Sequence, residues 1–223
     1  DDTNKKYYYG VTDGDPNSSK SNTQFYVAFG HYAGSGSNTY SDTVKGETEA
    51  IYKQYANTLL SKTEAPLGFF ISSGSESEQS IRQTTLVNSA VPARKDEFIY
   101  ALNFKQSNFG DQLQPGSWTL TISGSTTSGH GKTIKLTDDS KQTFGKTING
   151  IGRVFNIVSG SKGGVRQNTF SVGSNNRYGL FYPDMGIMIL GEKIAYAFKS
   201  VEQPVQAKFN SNNYRALTGV VSS

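Results

Sequence analysis

Four short stretches of this chain carry residue types that do chemistry, and their spacing decides what that chemistry would be. Gly129-His130-Gly131-Lys132-Thr133 has the ending of a phosphate-binding loop, in which backbone amides, a lysine and a hydroxyl hold a nucleotide. That motif needs glycine where Thr126 stands and a helix after Thr133. Ile134 to Asp139 instead alternates like a strand ending in a turn, so a hairpin loop is expected and His130 is a loop residue. Asp13, Asp15, Asn17 and Ser19 fall at the odd positions of a calcium loop, yet Ser18 stands where the sharp turn calls for glycine and Gln24 where a bidentate glutamate would close the site. A polar surface turn accounts for the same residues. Acid–base work on a glycosidic bond needs two facing carboxyl groups, for which the candidates are Asp138 with Asp139, and Asp184 with Glu192. Asp138, Asp139 and Asp184 lie in expected turns, where aspartate commonly accepts hydrogen bonds from nearby amides. His31 and His130 are far apart in the chain, with no nucleophile motif beside either.

The absence of cysteine removes disulfides, thiolate metal sites and thiol nucleophiles, and leaves the redox compartment open. No catalytic, cofactor-binding or metal-binding residue is therefore assigned. The expectation is a protein that is not an enzyme and takes no cofactor and no small-molecule substrate. The net charge of +4, from 22 basic and 18 acidic residues, is scattered and forms no basic stripe, which argues against nucleic acid as a partner. No apolar run approaches the ~20 residues of a membrane helix, and Asp1 to Lys6 lacks the apolar core of a signal peptide, so no membrane partner is expected. The chain has no initiator methionine and is read as one domain, 1–223, forming part of a longer protein.

The elements that would position any site are mostly strands. Ser, Thr, Asn and Gly are abundant, and 13 Tyr with 13 Phe supply most of the bulky apolar surface. The one helix is expected at Glu47 to Leu60, where Ile51, Tyr55 and Leu59 recur at four-residue spacing and Tyr52 and Ala56 widen the stripe. Period-2 patterns and turn residues predict strands at Gln24 to Phe29, Leu67 to Ile71, Phe98 to Phe104, Ser117 to Ser123, Thr133 to Leu136, Arg153 to Val158, Gly179 to Tyr182, Ile187 to Leu190, Ile194 to Phe198 and Val205 to Phe209. Lys105 to Leu113 reads as a short helical or irregular link, and Pro115-Gly116 and Pro183-Asp184-Met185-Gly186 as turns. Trp118, sharing a face with Leu120 and Ile122, is expected to anchor the core. The fold class is mainly β (α+β): an antiparallel β-sandwich or barrel-like sheet with one packed amphipathic helix at about 47–60.

Six segments, in order, carry a family resemblance. They are Ile51 to Leu60, Glu97 to Phe104, Leu113-Gln114-Pro115-Gly116-Ser117-Trp118-Thr119-Leu120, Leu136-Thr137-Asp138-Asp139-Ser140, Gly152 to Ser161, and Tyr178-Gly179-Leu180-Phe181-Tyr182-Pro183-Asp184-Met185-Gly186-Ile187-Met188-Ile189-Leu190. Spanning about Gln24 to Leu190, they resemble a family of virion structural, tail- or baseplate-related proteins from T4-like myophages of cyanobacteria. The chain departs from that family at Gln106, Ser107, Asn108, Gly110 and Asp111, where members tend to be more basic. The resemblance implies a non-enzymatic assembly component of a contractile tail, in or near the baseplate, localised to the virion. Its implied partners are other phage virion proteins, present in multiple copies in a symmetric assembly. A capsid-associated position, a host-surface or carbohydrate-binding tail adhesin, and a glycan-degrading tail enzyme are the alternatives. The loops Ser72 to Gln79 and Gly160 to Gly164 and both chain ends are the expected contact segments.

Overall fold

The computed structural model describes residues 8–13, 21–37, 46–71, 95–125, 131–166 and 177–196. Their strands are β1 (Tyr8–Asp13), β2 (Asn22–His31), β3 (Phe98–Phe104), β4 (Leu120–Ser125), β5 (Gly131–Asp138), β6 (Lys146–Ile148), β7 (Gly152–Ser161), β8 (Gly164–Val165), β9 (Arg177–Tyr182) and β10 (Ile187–Gly191). Helix α1 spans Gly46–Leu59, and a single turn, α2, spans Lys193–Tyr196. The main path runs β1-β2-β3-β10-β9-β7-β5-β4 with every pairing antiparallel, while β6 and β8 pair with β7. The sheet curls into a half-barrel, which is the barrel-like form of the expected mainly β fold.

Alternation along each strand makes two cores. Phe25, Val27 and Phe29 of β2, Phe98, Tyr100 and Leu102 of β3, Phe155 and Ile157 of β7, Phe181 of β9 and Met188 and Leu190 of β10 point to the concave side. Register joins them into rows: Phe25 opposes Phe104, Phe29 opposes Tyr100, and Phe155 opposes Phe181. Ala28, Ile99, Ala101, Leu180 and Ile189 point to the convex side, where Ile51, Tyr52, Tyr55, Ala56 and Leu59 of α1 cover them. The apolar stripe expected of the helix is thus the buried face, and Ile51 and Leu59 each contribute about 1.5–3 kcal/mol on burial. Close approach of helix and sheet depends on Gly30, where a Cβ would lie 2.8 Å from the Tyr52 backbone nitrogen. The first turn of α1 is held by the loop after β2: Thr48 N–H donates to Ser37 Oγ at 3.0 Å, and Thr48 Oγ1–H to the Ser35 carbonyl at 3.0 Å.

Several expectations need correction. Leu67 to Ile71 is not a strand; Phe69 N–H donates to Tyr52 Oη at 2.9 Å and Ile71 N–H to Asp96 Oδ2, so side chains replace a ladder. Ile194 belongs to the helical turn α2, not to a strand, and closes one end of the concave core. Trp118 precedes β4 rather than lying within it and is only partly buried, although it does pack on the concave core. Pairing of β4 with β5 begins at Leu120 opposite Leu136; the Trp118 carbonyl instead accepts from Lys162 N–H at 3.1 Å and Thr137 Oγ1–H at 2.9 Å. Gly160 to Gly164 is a tight hairpin between β7 and β8, with Gly163 N–H donating to Thr137 Oγ1 at 2.8 Å. The expected strand at Val205 to Phe209, the loop at Ser72 to Gln79, both chain ends and residues 197 and 198 lie outside the described residues. Strands β1, β6 and β8 are additions to the sequence-based reading.

Candidate functional site

The carboxylates singled out by sequence are structural ties. Asp138, at the end of β5, is fully buried and accepts from Gly116 N–H at 3.0 and 2.8 Å and from Ser140 N–H at 3.0 Å. Asp139, also buried, accepts from Asn156 N–H at 2.9 Å through Oδ1 and from Asn156 Nδ2–H at 2.7 Å through Oδ2. The pair therefore fastens the Pro115-Gly116 turn and β7 to the end of β5, which is the amide-binding role expected of them. Burial pushes the Asp139 carboxyl above its ordinary range, and the bonds from Asn156 oppose that shift.

Asp184 lies in the β9–β10 turn, where Gly186 has φ +62°, and its Oδ2 accepts from Arg153 N–H at 3.4 Å. Glu192 follows the far end of β10 and accepts from Glu97 N–H at 3.2 Å. A strand advancing about 3.4 Å per residue separates these two groups by roughly 15 Å or more, so they do not face one another across a bond. Asp13 Oδ1 accepts from Asn22 N–H at 2.6 Å and Oδ2 from Gln24 Nε2–H at 3.1 Å, a tie across the β1–β2 hairpin between two members of the calcium-like pattern. Asp15, Asn17, Ser18 and Ser19 lie outside the described residues, as do Thr126, Gly129 and His130. The segment from Gly131 onward is strand β5, so Lys132 and Thr133 do not open the helix that a phosphate loop requires. His31 ends β2; its Nδ1 accepts from Ala33 N–H at 3.1 Å, and burial holds its pKa below 6.5 against the opposing charge of Glu97. Among the described residues no three His, Asp or Glu side chains gather as metal ligands, and no helix is long and apolar enough to cross a membrane.

The described residues do form, among others, an adjoining pair of recesses and a separate hollow. The first, of about 320 Å³, lies on the convex side between the end of α1, β6 and β7, with Glu64, Asp139, Phe144, Lys146 and Asn156 in its lining. Glu64 Oε1 accepts from Lys146 Nζ at 2.6 Å and its Oε2 from Ser61 Oγ–H at 2.7 Å. Burial works to raise the Glu64 pKa, but the bonds from Lys146 and Ser61 prevail and hold it below its ordinary value. Phe144, in the loop between β5 and β6, is 100 % exposed at the rim. On its other side a recess of about 290 Å³ is lined by Gln112, Gln114, Lys141 and Arg153 together with Thr143, Phe144 and Phe155, which both recesses share.

The second hollow, of about 270 Å³, is at the mouth of the half-barrel and is lined mainly by Phe25, Phe104, Leu113, Trp118, Leu120 and Met188. The Trp118 ring meets Phe181 edge-on at 5.3 Å, and its Nε1 is buried without a hydrogen-bond partner among the described residues. Beside it runs β4, the last strand of the path, which pairs only with β5 among the described residues.

Sequence reasoning missed Glu64, Lys146 and Phe144. The first two are 82 positions apart and meet only through folding. For Phe144 a signal existed: a lone large aromatic in the polar run Ser140 to Gly145. No family model, curated protein or solved structure matches this chain.

Proposed function

We propose that this chain is a non-enzymatic structural protein of a phage virion, an assembly component of a contractile tail in or near the baseplate, held by other virion proteins in a symmetric assembly. The observation that carries the reading is the edge of β4, unpaired among the described residues, beside the apolar hollow at Trp118. An extended segment of a neighbouring protein that adds as a strand to β4 gains main-chain hydrogen bonds, and the hollow receives one of its apolar side chains. A carbonyl of that segment would also satisfy the buried Trp118 Nε1–H, which has no acceptor among the described residues. The non-enzymatic part is supported by Asp138, Asp139, Asp184 and Glu192, each of which accepts a hydrogen bond from a backbone amide. The resemblance of Gln24 to Leu190 to tail and baseplate proteins supplies the setting.

Cryo-electron microscopy of the intact particle, with cross-linking of neighbours, tests this reading. The expected result is the chain in the tail with a partner strand along β4. A particle that is complete and infectious without the chain overturns the assembly role; density in the capsid shell overturns the tail position, and a β4 edge open to solvent in the particle overturns the mode of contact.

A further inference from the structure

We propose that the trough formed by the two recesses on either side of Phe144 is a binding site for an acidic oligosaccharide, with one sugar ring stacked on Phe144 and an acidic residue seated near Lys141 and Arg153. This inference uses a different surface from β4 and does not rest on the assembly reading.

Three observations meet here. Phe144 is 100 % exposed, so its ring contributes no packing to the fold, yet it stands where recesses of about 320 and 290 Å³ adjoin. An aromatic face bounded by hydroxyl and amide groups suits a sugar ring, whose C–H faces are apolar and whose rim is hydroxylated. The surroundings are polar in that way: Thr143 lies beside the ring, Gln112 and Gln114 line one recess, and Lys146 keeps donors beyond the one given to Glu64.

Charge then selects among sugars. In the first recess Glu64 is matched by Lys146 at 2.6 Å, and Asp139 is held by Asn156. The second recess contains Lys141 and Arg153 and no carboxylate in its lining. Lys141 Nζ donates to the Lys162 carbonyl at 2.8 Å, and the Arg153 guanidinium lies 5.7 Å from the Phe155 ring centre; among the described residues neither side chain forms an ion pair, and Asp184 meets Arg153 only at its backbone N–H. A uronate, sialate or sugar phosphate supplies an anion.

The experiment applies the labelled full chain to an array of neutral oligosaccharides and of oligosaccharides bearing uronate, sialate or phosphate, with polyglutamate as a control for charge alone. Trigalacturonate is then titrated by isothermal calorimetry. The expected result is binding to acidic glycans above neutral ones and above polyglutamate. Phe144→Ala should weaken it at least tenfold with no change in unfolding midpoint, and Arg153→Gln should weaken acidic glycans selectively. The site proposal is overturned by silence across the array, by equal binding of polyglutamate, or by glycan binding that Phe144→Ala leaves intact; preference for neutral sugars overturns its acidic specificity. Because the isolated chain is used, none of these results depends on where the protein sits in a particle.

Discussion

On the concave face of the sheet, Phe25, Phe29, Phe98, Tyr100, Phe155 and Phe181 fill the interior with side chains that the strands themselves provide. On the convex face, Ala28, Ile99, Ala101 and Ile189 are small or medium-sized, and most of the large groups, Tyr52, Tyr55, Leu59, Phe69 and Ile71, come from α1 and the segment after it, with Tyr182 of β9 beside them. The concave core is held by volume and closes as the sheet curls. The convex core joins separate parts of the chain and adds a polar tie. Tyr52 Oη–H donates to the Asp96 carbonyl at 2.9 Å and accepts from Phe69 N–H at 2.9 Å, while Asp96 N–H donates to the Phe69 carbonyl at 2.7 Å and Asp96 Oδ1 accepts from Glu192 N–H at 3.1 Å. A face that supplies its own filling needs little besides alternation; one that borrows its filling needs hydrogen bonds to position the lender.

That contrast is most exposed to test at Phe181, fully buried against Trp118 on the concave side. Phe181→Ala should destabilise by about 3–5 kcal/mol through lost burial and the cavity left behind, read as a lower midpoint in urea unfolding. On the convex side Tyr52→Phe keeps the ring and removes only the tie. It leaves Phe69 N–H buried without its acceptor and should cost about 1–3 kcal/mol. Should Tyr52→Phe cost more than Phe181→Ala, the contrast between a core held by volume and one held by bonding would be reversed. Gly30→Ala should cost a similar 1–3 kcal/mol, since its methyl would press on the backbone of α1 and not on a movable side chain.

A smaller effect is expected from pH. Burial lowers the His31 pKa below its unfolded value of 6.5, so the unfolded chain binds the proton more readily. The stability contributed by neutral His31 is thus complete above about pH 6.5 and is lost as pH falls through the lower folded pKa. Protonation would also remove the acceptor used by Ala33 N–H. The melting temperature should fall between pH 7 and pH 5, and His31→Asn, which does not titrate, should flatten that fall; an unchanged slope would remove His31 as the cause. The smallest effect is expected at Phe144, where substitution by alanine should alter stability by no more than about 0.5 kcal/mol, because the ring is wholly exposed.

Local pattern was enough to identify α1, since the Ile51, Tyr55, Leu59 repeat is the face that packs. It was enough too for β2, β3, β7, β9 and β10, whose apolar runs are nearly continuous because both faces of the sheet are covered. The pairing of Pro183 with Gly186 likewise marked the β9–β10 turn, and the Asp138-Asp139 pair announced amide-binding aspartates. Leu67 to Ile71 misled because a buried apolar run looks the same whether its amides meet a strand or the side chains of Tyr52 and Asp96. Ile194 misled because one helical turn is too short to show a period. The depth of Trp118 depended on its place beside β4, the last strand of the described path.

Which residues are apolar, at what period, and where the backbone can turn are properties of neighbouring positions, and the sequence by itself determined them, and with them a mainly β chain with one amphipathic helix. Strand order, the terminal place of β4 in the described path, the meeting of Glu64 with Lys146 and the two recesses joined at Phe144 were decided only by the tertiary structure. The physical reason is that these features depend on contacts between groups far apart in the chain: the 82 positions between Glu64 and Lys146 leave no local periodicity to read, and only the folded chain brings the segment after α1 and β6 together around one hollow.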